Sequence, residues 1–339
     1  MEKLLVIRFG SIGDVIQCLG VPQAYKMKFP NAEVHWLVKQ DFRFLIEYHP
    51  QITKVLSFDR EIGFWGLLRL AWGLRAEQYS HVYDAHNNIR SKIVVKVLKI
   101  FRSVEILTRS KERWKRFRYF KLKKRGEFIM PFRGQYSYLR PIAQWLGKTY
   151  VPPAPQLFFP EETSEFALRK ITVPKPYIAM VPSAAWTMKR WPQEYWAKLI
   201  ELMPNVSFVI LGGPLDSFCE KYVQLDSKRV QNLAGKLTLI ESCAVLKNAA
   251  LTISGDTGLL HAADQLGAPA IALIGPSAFG YPTRPSSHII EVNHLPCKPC
   301  SKDGSGKCIQ STFRLCMVDI SPSLVAKKAM EILGATAPS

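Results

Sequence analysis

The sequence lacks any apolar run close to the ~20 residues that a bilayer-spanning helix needs. The apolar stretch after Met1 is too short for a secretory signal, and no small-residue cleavage site follows it. The chain also has no short-period repeat, whereas apolar residues make up 47% of it, enough for ordinary buried cores. These features exclude a fibrous or disordered chain and predict a globular, cytoplasmic protein.

Acidic residues are scarce: 27 Asp and Glu accompany 46 Lys and Arg, which gives a formal net charge of +19. An excess of this size indicates an anionic partner, such as nucleic acid, an acidic membrane surface or a phosphorylated substrate. The alternative is a solvated basic surface without a specific partner. Charge alone does not separate these classes.

Seven cysteines in a cytoplasmic chain of this length do not indicate a disulfide framework. Four of them fall in one segment with the spacing C-x2-C-x7-C-x7-C: Cys297, Cys300, Cys308 and Cys316. Four thiolates suffice for a structural zinc or an iron–sulfur site, although the spacing is not one of the strong zinc signatures. A disulfide and free thiols packed in a loop are the other two interpretations.

A chain of 339 residues suits two domains of moderate size. Short apolar runs alternate with helical patterns at roughly thirty residues per unit, which is typical of parallel sheets with helical crossovers. The first half predicts strands at residues 3–8, 33–38, 55–58 and 81–84, and helices at residues 13–29 and 64–78. The second half predicts strands at residues 177–181, 207–211, 251–254 and 270–274, and helices at residues 192–203 and 259–266.

A proline-rich segment, residues 150–156, separates the two halves. Its three prolines fit neither a helix interior nor a central strand. We therefore predict a first domain at residues 1–155, a linker at 156–176, a second domain at 177–320, and a C-terminal helix and tail at 321–339.

Glycine and polar residues follow the first predicted strand. Loops at the carboxyl ends of parallel strands face the ligand crevice, so Arg8, Ser11 and Asp14 are candidate site residues. Gly10 and Gly13 permit a tight turn and a close approach of the backbone to a ligand. Asp14 near a helix N-terminus is either functional or a simple helix cap. The segment does not have the G-x-G-x-x-G pattern of dinucleotide binding.

Small residues, a hydroxyl and two cations follow the first strand of the second half. Ser183 comes early in this segment, and Lys189 and Arg190 precede a helix that Pro192 opens. A cation beside the crevice can neutralise a diphosphate as it departs. A solvated Lys-Arg pair is the alternative, but cations at a helix N-terminus oppose the helix dipole.

The motif Gly-Asp-Thr-Gly-Leu-Leu-His, residues 255–261, follows a predicted strand and opens a helix. Free backbone N–H groups at such an N-terminus form an anion site, to which the Thr257 hydroxyl adds a donor. His261 lies one turn further on, within reach of the same ligand. Asp256 is an unfavourable neighbour for phosphate, so we expect it to bond a sugar hydroxyl or to cap the helix.

Three stretches, in this order and spacing, resemble the ADP-heptose:lipopolysaccharide heptosyltransferase family across nearly the whole chain. They are residues 8–16, residues 182–192 with their Lys-Arg-Trp-Pro core, and residues 254–276, which end in Leu-Gly-Ala-Pro-Ala-Ile-Ala-Leu-Ile-Gly-Pro. The resemblance implies a GT-B-like α/β fold, in which two Rossmann-like, doubly wound domains face each other across a cleft. It also implies inversion at the anomeric carbon, with no metal or other cofactor required for catalysis.

The resemblance further implies roles for individual residues. Asp14 matches the general base that takes the proton from the acceptor hydroxyl, and Lys189 matches the lysine at the donor diphosphate. The first domain would bind the acceptor, with Arg8, Ser11 and Gly13 in the turn that carries the base. The second domain would bind the nucleotide sugar through Asp256, Thr257, Gly258 and His261 and, at the donor phosphate, ribose and adenine, through Ser183, Asp216 and Leu237.

A basic stretch, residues 109–125, contains ten Lys and Arg residues together with Trp114, Phe117, Tyr119 and Phe120. A solvated helical face and nucleic-acid binding are two interpretations. In a transferase with a lipid-anchored, phosphorylated acceptor, docking on an anionic membrane is favoured, because basic residues attract the segment and aromatic rings settle at the headgroups.

The resemblance thus predicts an inverting glycosyltransferase that moves a heptose from ADP-heptose to a lipopolysaccharide core acceptor. Expected partners are the nucleotide sugar, the lipid-anchored acceptor and an anionic membrane, but not nucleic acid. The expected location is cytoplasmic, peripheral on the inner face of the inner membrane. Similar cysteines recur near the C-terminus of relatives, so the four cysteines add to the resemblance without establishing a metal. The alternatives are a transferase for another nucleotide sugar and a nucleotide- or RNA-binding module without turnover.

Overall fold

The computed structural model of the chain describes residues 2–334 and divides into two compact units. Unit 1 comprises Met1–Arg113 and Gln135–Phe158, and unit 2 comprises Trp114–Gly134 and Phe159–Ser339. The end of the predicted C-terminal tail, residues 335–339, lies outside the described residues.

Unit 1 is a five-stranded parallel sheet in the order β3-β2-β1-β4-β5. Its core lies between the sheet and two helices, where Leu5 and Ile7 of the first strand pack with Leu67 and Val94. The elements are β1 (Lys3–Ile7), α1 (Ile12–Cys18), α2 (Gly20–Lys26), β2 (Glu33–Lys39), β3 (Lys54–Phe58), α3 (Gly63–Leu74), β4 (His81–Asp84), α4 (Ile89–Lys99) and β5 (Glu105–Thr108), followed by α5 (Arg113–Phe120) and, back in unit 1, α6 (Tyr136–Leu146).

Unit 2 is a six-stranded parallel sheet in the order β11-β10-β9-β6-β7-β8. Its core includes Trp191 and Trp196, which pack with Val325 of the last helix. The elements are α7 (Glu161–Arg169), β6 (Tyr177–Val181), α8 (Gln193–Leu202), β7 (Ser207–Ile210), α9 (Glu220–Val223), β8 (Val230–Asn232), α10 (Leu239–Lys247), β9 (Leu251–Gly255), α11 (Gly258–Leu266), β10 (Ala270–Ile274), β11 (Ser287–Glu291), α12 (Leu315–Val318) and α13 (Pro322–Leu333).

The two sheets confirm the predicted pair of Rossmann-like, doubly wound α/β domains. Numbered within its own unit, the second sheet has the strand order 3-2-1-4-5-6, and the first has the same order without the sixth strand. The strand order reverses between β1 and β4 in unit 1 and between β6 and β9 in unit 2. Ligands of open parallel sheets bind outside the carboxyl ends of the strands at such reversals. The loops after β1, β6 and β9 therefore lie where binding sites form, and they carry the three predicted motifs.

The structure differs from the prediction in its helices. The helix predicted at residues 13–29 is two helices, α1 and α2, separated at Leu19. Pro22 explains the break, because it has no N–H to continue the hydrogen bonds of α1 but fits the first turn of α2. The segment predicted as a linker contains α7, whose first turn carries Glu161 and Glu162 at the helix end that favours negative charge. Within residues 2–334, no helix is long and apolar enough to cross a bilayer.

Candidate functional site

Asp14 lies in the first turn of α1, directly after the loop that leaves β1. The buried Arg8 guanidinium forms an ion pair with it, with 2.5 Å between Nη2 and Oδ2. The Ser11 hydroxyl donates to the same oxygen at 3.1 Å. Ser11 holds the N-cap position without capping the helix through its side chain, because its hydroxyl bonds Asp14 instead. Gly13 lies inside α1, so the tight turn predicted for both glycines falls to Gly10 alone.

Helix α6, which lies more than a hundred residues further along the chain, provides further contacts to Asp14. The buried Tyr138 phenol donates to Asp14 Oδ1 at 2.6 Å. Arg109 stacks on the Tyr138 ring, with its guanidinium carbon 4.1 Å from the ring centroid, and its Nη2 donates to the Ser137 hydroxyl at 2.8 Å. Asp14 is thus fixed on both carboxylate oxygens, an arrangement that would orient the predicted general base.

The charges around Asp14 hold it ionised. Burial acts to raise the pKa of Asp14, but the Arg8 charge and the Tyr138 hydrogen bond lower it below the usual value of 3.8. Nearby positive charges act against the protonated form of Lys111. Burial lowers the pKa of this lysine, and the charges of Arg8, Arg113 and Arg109 lower it further. Positive charge therefore exceeds negative charge at this end of unit 1, which favours an anionic ligand.

The second cluster lies in unit 2, after β6 and β9. Lys189 Nζ is 2.6 Å from Asp256 Oδ2, and His261 Nε2 is 3.4 Å from Asp256 Oδ1. Burial acts to raise the pKa of Asp256, but the His261 hydrogen bond and the Lys189 charge lower it far below its usual range. Asp256 therefore carries its charge between two partners, and the Lys189 ammonium offsets that negative charge.

Two glycines from later loops pack closely against this ion pair. A Cβ at Gly280 would lie 2.0 Å from the Asp256 carboxyl carbon, and one at Gly304 would lie 2.6 Å from Lys189 Cγ. Only residues without a side chain allow these backbones to approach so closely. Sequence reasoning missed both glycines, because Gly280 lies 24 positions beyond Asp256, Gly304 lies 115 positions beyond Lys189, and neither belongs to a pattern of its own.

The N-terminus of α11 is capped by Thr257. Its Oγ1 accepts from Leu260 N at 3.2 Å and shares a 2.9 Å hydrogen bond with the Ser254 hydroxyl. The helix begins at Gly258, and its N-cap is Thr257. Asp256 is therefore not the helix cap. The first turn of α11 therefore lies where the anion site was predicted, and its binding of an anion stays a prediction.

A third group lies on the neighbouring loops after β6 and β7. The Ser183 hydroxyl donates to Asp216 Oδ1 at 2.5 Å, and Gly213 N donates to Asp216 Oδ2 at 2.7 Å. Leu237, half-buried, follows β8 and immediately precedes the capping box of α10. The Gly235 N–H bonds the Gly212 carbonyl, which brings the loop of Leu237 beside the loop of Asp216. The predicted phosphate, ribose and adenine contacts are thus carried by adjacent loops.

The four clustered cysteines are free thiols, so the disulfide interpretation does not hold in this structure. Cys297 Sγ accepts a hydrogen bond from Gln310 Nε2 at 3.2 Å, and Cys308 Sγ accepts one from Arg314 N at the same distance. Among residues 2–334, no group of three or more His, Cys, Asp or Glu side chains has an arrangement that could hold a metal ion.

The basic stretch is only partly exposed. Trp114 and Phe117 are 67% and 46% exposed, and their rings stack with centroids 5.4 Å apart. Tyr119, in contrast, is buried against Phe128 and Phe120 in unit 2. The prediction of four headgroup-facing aromatics is therefore wrong for Tyr119 and for Phe120, which packs against the same cluster, and the exposed aromatic surface consists of Trp114 and Phe117.

Comparison with known proteins identifies the family. Residues 67–309 match the model of glycosyltransferase family 9 (heptosyltransferase). The lipooligosaccharide heptosyltransferase 2 of Haemophilus influenzae is 25% identical, with 98% of this chain and 99% of that protein covered. The lipopolysaccharide heptosyltransferase 1 of Pseudomonas aeruginosa is 24% identical, with 88% and 86% covered.

Solved structures show the same fold. The family 9 glycosyltransferase of Veillonella parvula superposes with a TM-score of 0.76 at 20% identity, covering 98% of this chain and 97% of that one. The Escherichia coli ADP-heptose lipopolysaccharide heptosyltransferase II gives 0.72 at 19% identity, with 98% of both chains covered. The predicted GT-B-like fold is confirmed by these matches. The chain belongs to glycosyltransferase family 9, the heptosyltransferase family.

Proposed function

We propose that this chain moves a heptose from ADP-heptose to a lipopolysaccharide core acceptor and inverts the anomeric centre. The observation that carries the proposal is the cluster of Lys189, Asp256 and His261 at the N-terminus of α11. A lysine held beside a helix N-terminus is suited to a diphosphate that gains charge as it leaves a sugar. The sequence match to the H. influenzae relative, the fold of the E. coli relative and the family match support the same choice of reaction.

Unit 2 would hold the donor. The first-turn N–H groups of α11 and the Lys189 ammonium would bind the diphosphate, with Gly258 allowing the phosphate to approach the backbone. Asp216 would bond the ribose hydroxyls, because a carboxylate accepts from two adjacent hydroxyls. Leu237 would provide an apolar contact for the adenine on the adjacent loop.

Unit 1 would supply the acceptor side, with Asp14 as general base. The low pKa of Asp14 makes it a weak base, so its proton transfer would accompany formation of the new glycosidic bond, when the acceptor oxygen becomes acidic. Arg8 and Tyr138 hold its carboxylate, and the surplus positive charge around Lys111 suits an acceptor with acidic groups. One displacement with one base accounts for inversion, and no step requires a metal.

A panel of nucleotide sugars tests the donor assignment. We expect ADP-heptose and ADP to raise the thermal midpoint of the protein, because a ligand that binds only the folded state stabilises it, and UDP- and GDP-sugars to leave the midpoint unchanged. A larger shift with a UDP- or GDP-sugar would reassign the donor. Transfer to a defined core acceptor, followed by mass spectrometry with and without a chelator, then checks turnover and its independence from metal.

We also propose that the protein works in the cytoplasm, peripheral on the inner face of the inner membrane. The stacked pair Trp114 and Phe117 supports this, together with four exposed residues that follow α5, Lys121, Leu122, Lys123 and Lys124. Aromatic rings favour the headgroup region, and each lysine near an anionic surface contributes about 1 kcal/mol.

Replacing Lys121, Lys123 and Lys124 together by glutamate should reduce the preference for anionic vesicles, because the α5 segment would then repel lipid phosphates. The measurement is sedimentation with phosphatidylcholine vesicles, with and without phosphatidylglycerol, at low salt. Lys327→Glu, an exposed lysine on α13, is the single-site control and should bind like the unaltered protein. Binding of the unaltered protein that does not respond to phosphatidylglycerol would contradict the proposed role of this segment.

A further inference from the structure

The strongest unexplained surface is the outer side of the two neighbouring helices α3 and α4 in unit 1. The buried residues of α3, Leu67, Ala71 and Leu74, face the sheet at helical spacing. On the opposite side of the same helix lie Trp65, Arg69 and Trp72, also at intervals of four and three residues.

The tryptophans on this side are unusually open to solvent. Trp65 is 80% exposed and Trp72 is 52% exposed, and Phe64 beside them is 56% exposed. Large aromatic side chains are normally well buried in folded proteins, and an exposed group of them marks an interaction surface. Arg75 holds Trp72 in place, because its guanidinium lies 4.8 Å from the ring centroid while Nη1 donates to the Val97 carbonyl of α4 at 3.0 Å.

The solvent-exposed side of helix α4 is mainly cationic, whereas that of α3 is mainly aromatic. Val94, Val97 and Leu98 are buried in the unit 1 core. The opposite side consists of Ile89, Lys92, Lys96 and Lys99, all exposed. We refer to Trp65, Arg69 and Trp72 of α3, together with Ile89, Lys92, Lys96 and Lys99 of α4, as the α3–α4 face.

Negative charge is missing from the segments that form this face. Residues 62–76 and 85–104 contain seven Lys and Arg and no Asp or Glu. Phe101, which follows α4, adds another aromatic ring and is 98% exposed. Helix α3 carries aromatic rings and the adjacent helix α4 carries lysines. At the surface of an anionic bilayer, aromatic rings settle at the headgroup level and lysines contact lipid phosphates, so this pair of helices suits such a surface.

We propose that the α3–α4 face is a membrane-binding surface that inserts its tryptophans into the interface of an anionic lipid bilayer. It lies in unit 1, whereas the α5 segment lies in unit 2, so it is a second and independent lipid contact. This proposal rests on the membrane association proposed above, to which it adds a second contact surface. The physical mechanism differs, since ring insertion persists at salt concentrations that screen attraction between lysines and lipid phosphates.

The test is flotation of the full chain with vesicles of phosphatidylethanolamine and phosphatidylglycerol. Replacing Phe64 and Trp65 together by serine should weaken binding by about tenfold or more, because two large rings lose their apolar contact. The loss should remain at high salt. Phe166→Ser, an exposed aromatic on α7 that packs beside Lys170, is the matched control and should change nothing. All altered residues are exposed, so thermal midpoints should match that of the unaltered protein.

A depth measurement provides a second readout. Brominated phospholipids quench tryptophans that enter the bilayer, and Trp65→Phe should remove part of that quenching while the chain still binds vesicles. Unaltered binding and quenching in the α3 variants would overturn the proposal. So would a change in oligomeric state on ultracentrifugation without a change in vesicle binding, because the face would then join two copies of the chain.

The activity assay separates this proposal from the proposed reaction. With a water-soluble core acceptor, the variant with Phe64 and Trp65 replaced should keep the turnover of the unaltered protein, and only transfer to a vesicle-embedded acceptor should fall. Absence of turnover in every preparation would count against the reaction. Equal turnover on soluble and embedded acceptors in that variant would count against the membrane face.

Discussion

Replacing Asp14 by asparagine should lower turnover by about 10²–10⁴-fold, the usual contribution of a general base, and leave donor affinity unchanged. Asparagine keeps a carbonyl oxygen for the buried Arg8 guanidinium and the Ser11 hydroxyl, so these two contacts survive, whereas the basic lone pair and the acceptor for the Tyr138 hydroxyl are lost. Steady-state rates with a core acceptor and a calorimetric titration of ADP measure the two quantities separately. Near-normal turnover in this variant would remove Asp14 from the mechanism.

Tyr138→Phe is the matched control for this substitution. It keeps the carboxylate but removes the hydrogen bond to Oδ1, which helps to lower the pKa of Asp14. We expect a smaller loss of turnover than in the asparagine variant, together with an acid limb of the rate profile that moves to higher pH. A loss as large as that of the asparagine variant, with no movement of the acid limb, would mean that the tyrosine acts through structure alone.

The pH dependence follows from the direction of the same shift. The pKa of Asp14 is lower in the folded protein than the usual 3.8, so the folded state favours the ionised form. Its contribution to stability is present above the pKa of the unfolded chain and disappears as pH falls through the folded value. Asp14 therefore stays charged near neutral pH, and we expect an acid limb of the rate profile near neutrality to come from another group.

The sequence was sufficient to predict eight of the eleven strands and the positions of the three motifs, because each depends on local signals, whereas β5, β8 and β11 were not predicted. Buried parallel strands are continuous apolar runs, and the strands at His81–Asp84 and Tyr177–Val181 have the predicted limits. The loops that carry Asp14, Lys189 and Asp256 follow such strands directly. Strand order then places these loops at the reversals of the two sheets, as the general rule for open parallel sheets requires.

The partners of those residues could not be predicted, because they depend on tertiary contacts without local signals. Tyr138 lies 124 positions from Asp14, and nothing in its helix distinguishes it from a core tyrosine. The ion pair of Lys189 with Asp256 joins two loops 67 positions apart, and no local pattern indicates that the two side chains meet. The cleft between the two domains stays a prediction.

Replacing Lys189 should have the second large effect on turnover. Because Lys189 forms an ion pair with Asp256, this effect has two possible causes that must be separated. Lys189→Met should lower turnover by about 10²–10³-fold, the usual loss when one donor to developing negative charge is removed. It should also destabilise the fold by about 3–5 kcal/mol, because Asp256 stays buried without its lysine partner. Either the missing charge at the diphosphate or the unpaired aspartate could explain a loss of activity.

A double variant decides between these causes. Adding Asp256→Asn to Lys189→Met removes the unpaired charge, so we expect thermal stability to recover substantially. If Lys189 stabilises the departing diphosphate, turnover and ADP affinity stay low in the double variant, and Asp256→Asn alone keeps more activity than Lys189→Met alone. Recovery of turnover along with stability would instead limit Lys189 to neutralising Asp256. Lys198→Met, which removes an exposed lysine paired with Glu201 on α8, should leave rate, affinity and stability unchanged and so controls for loss of positive charge as such.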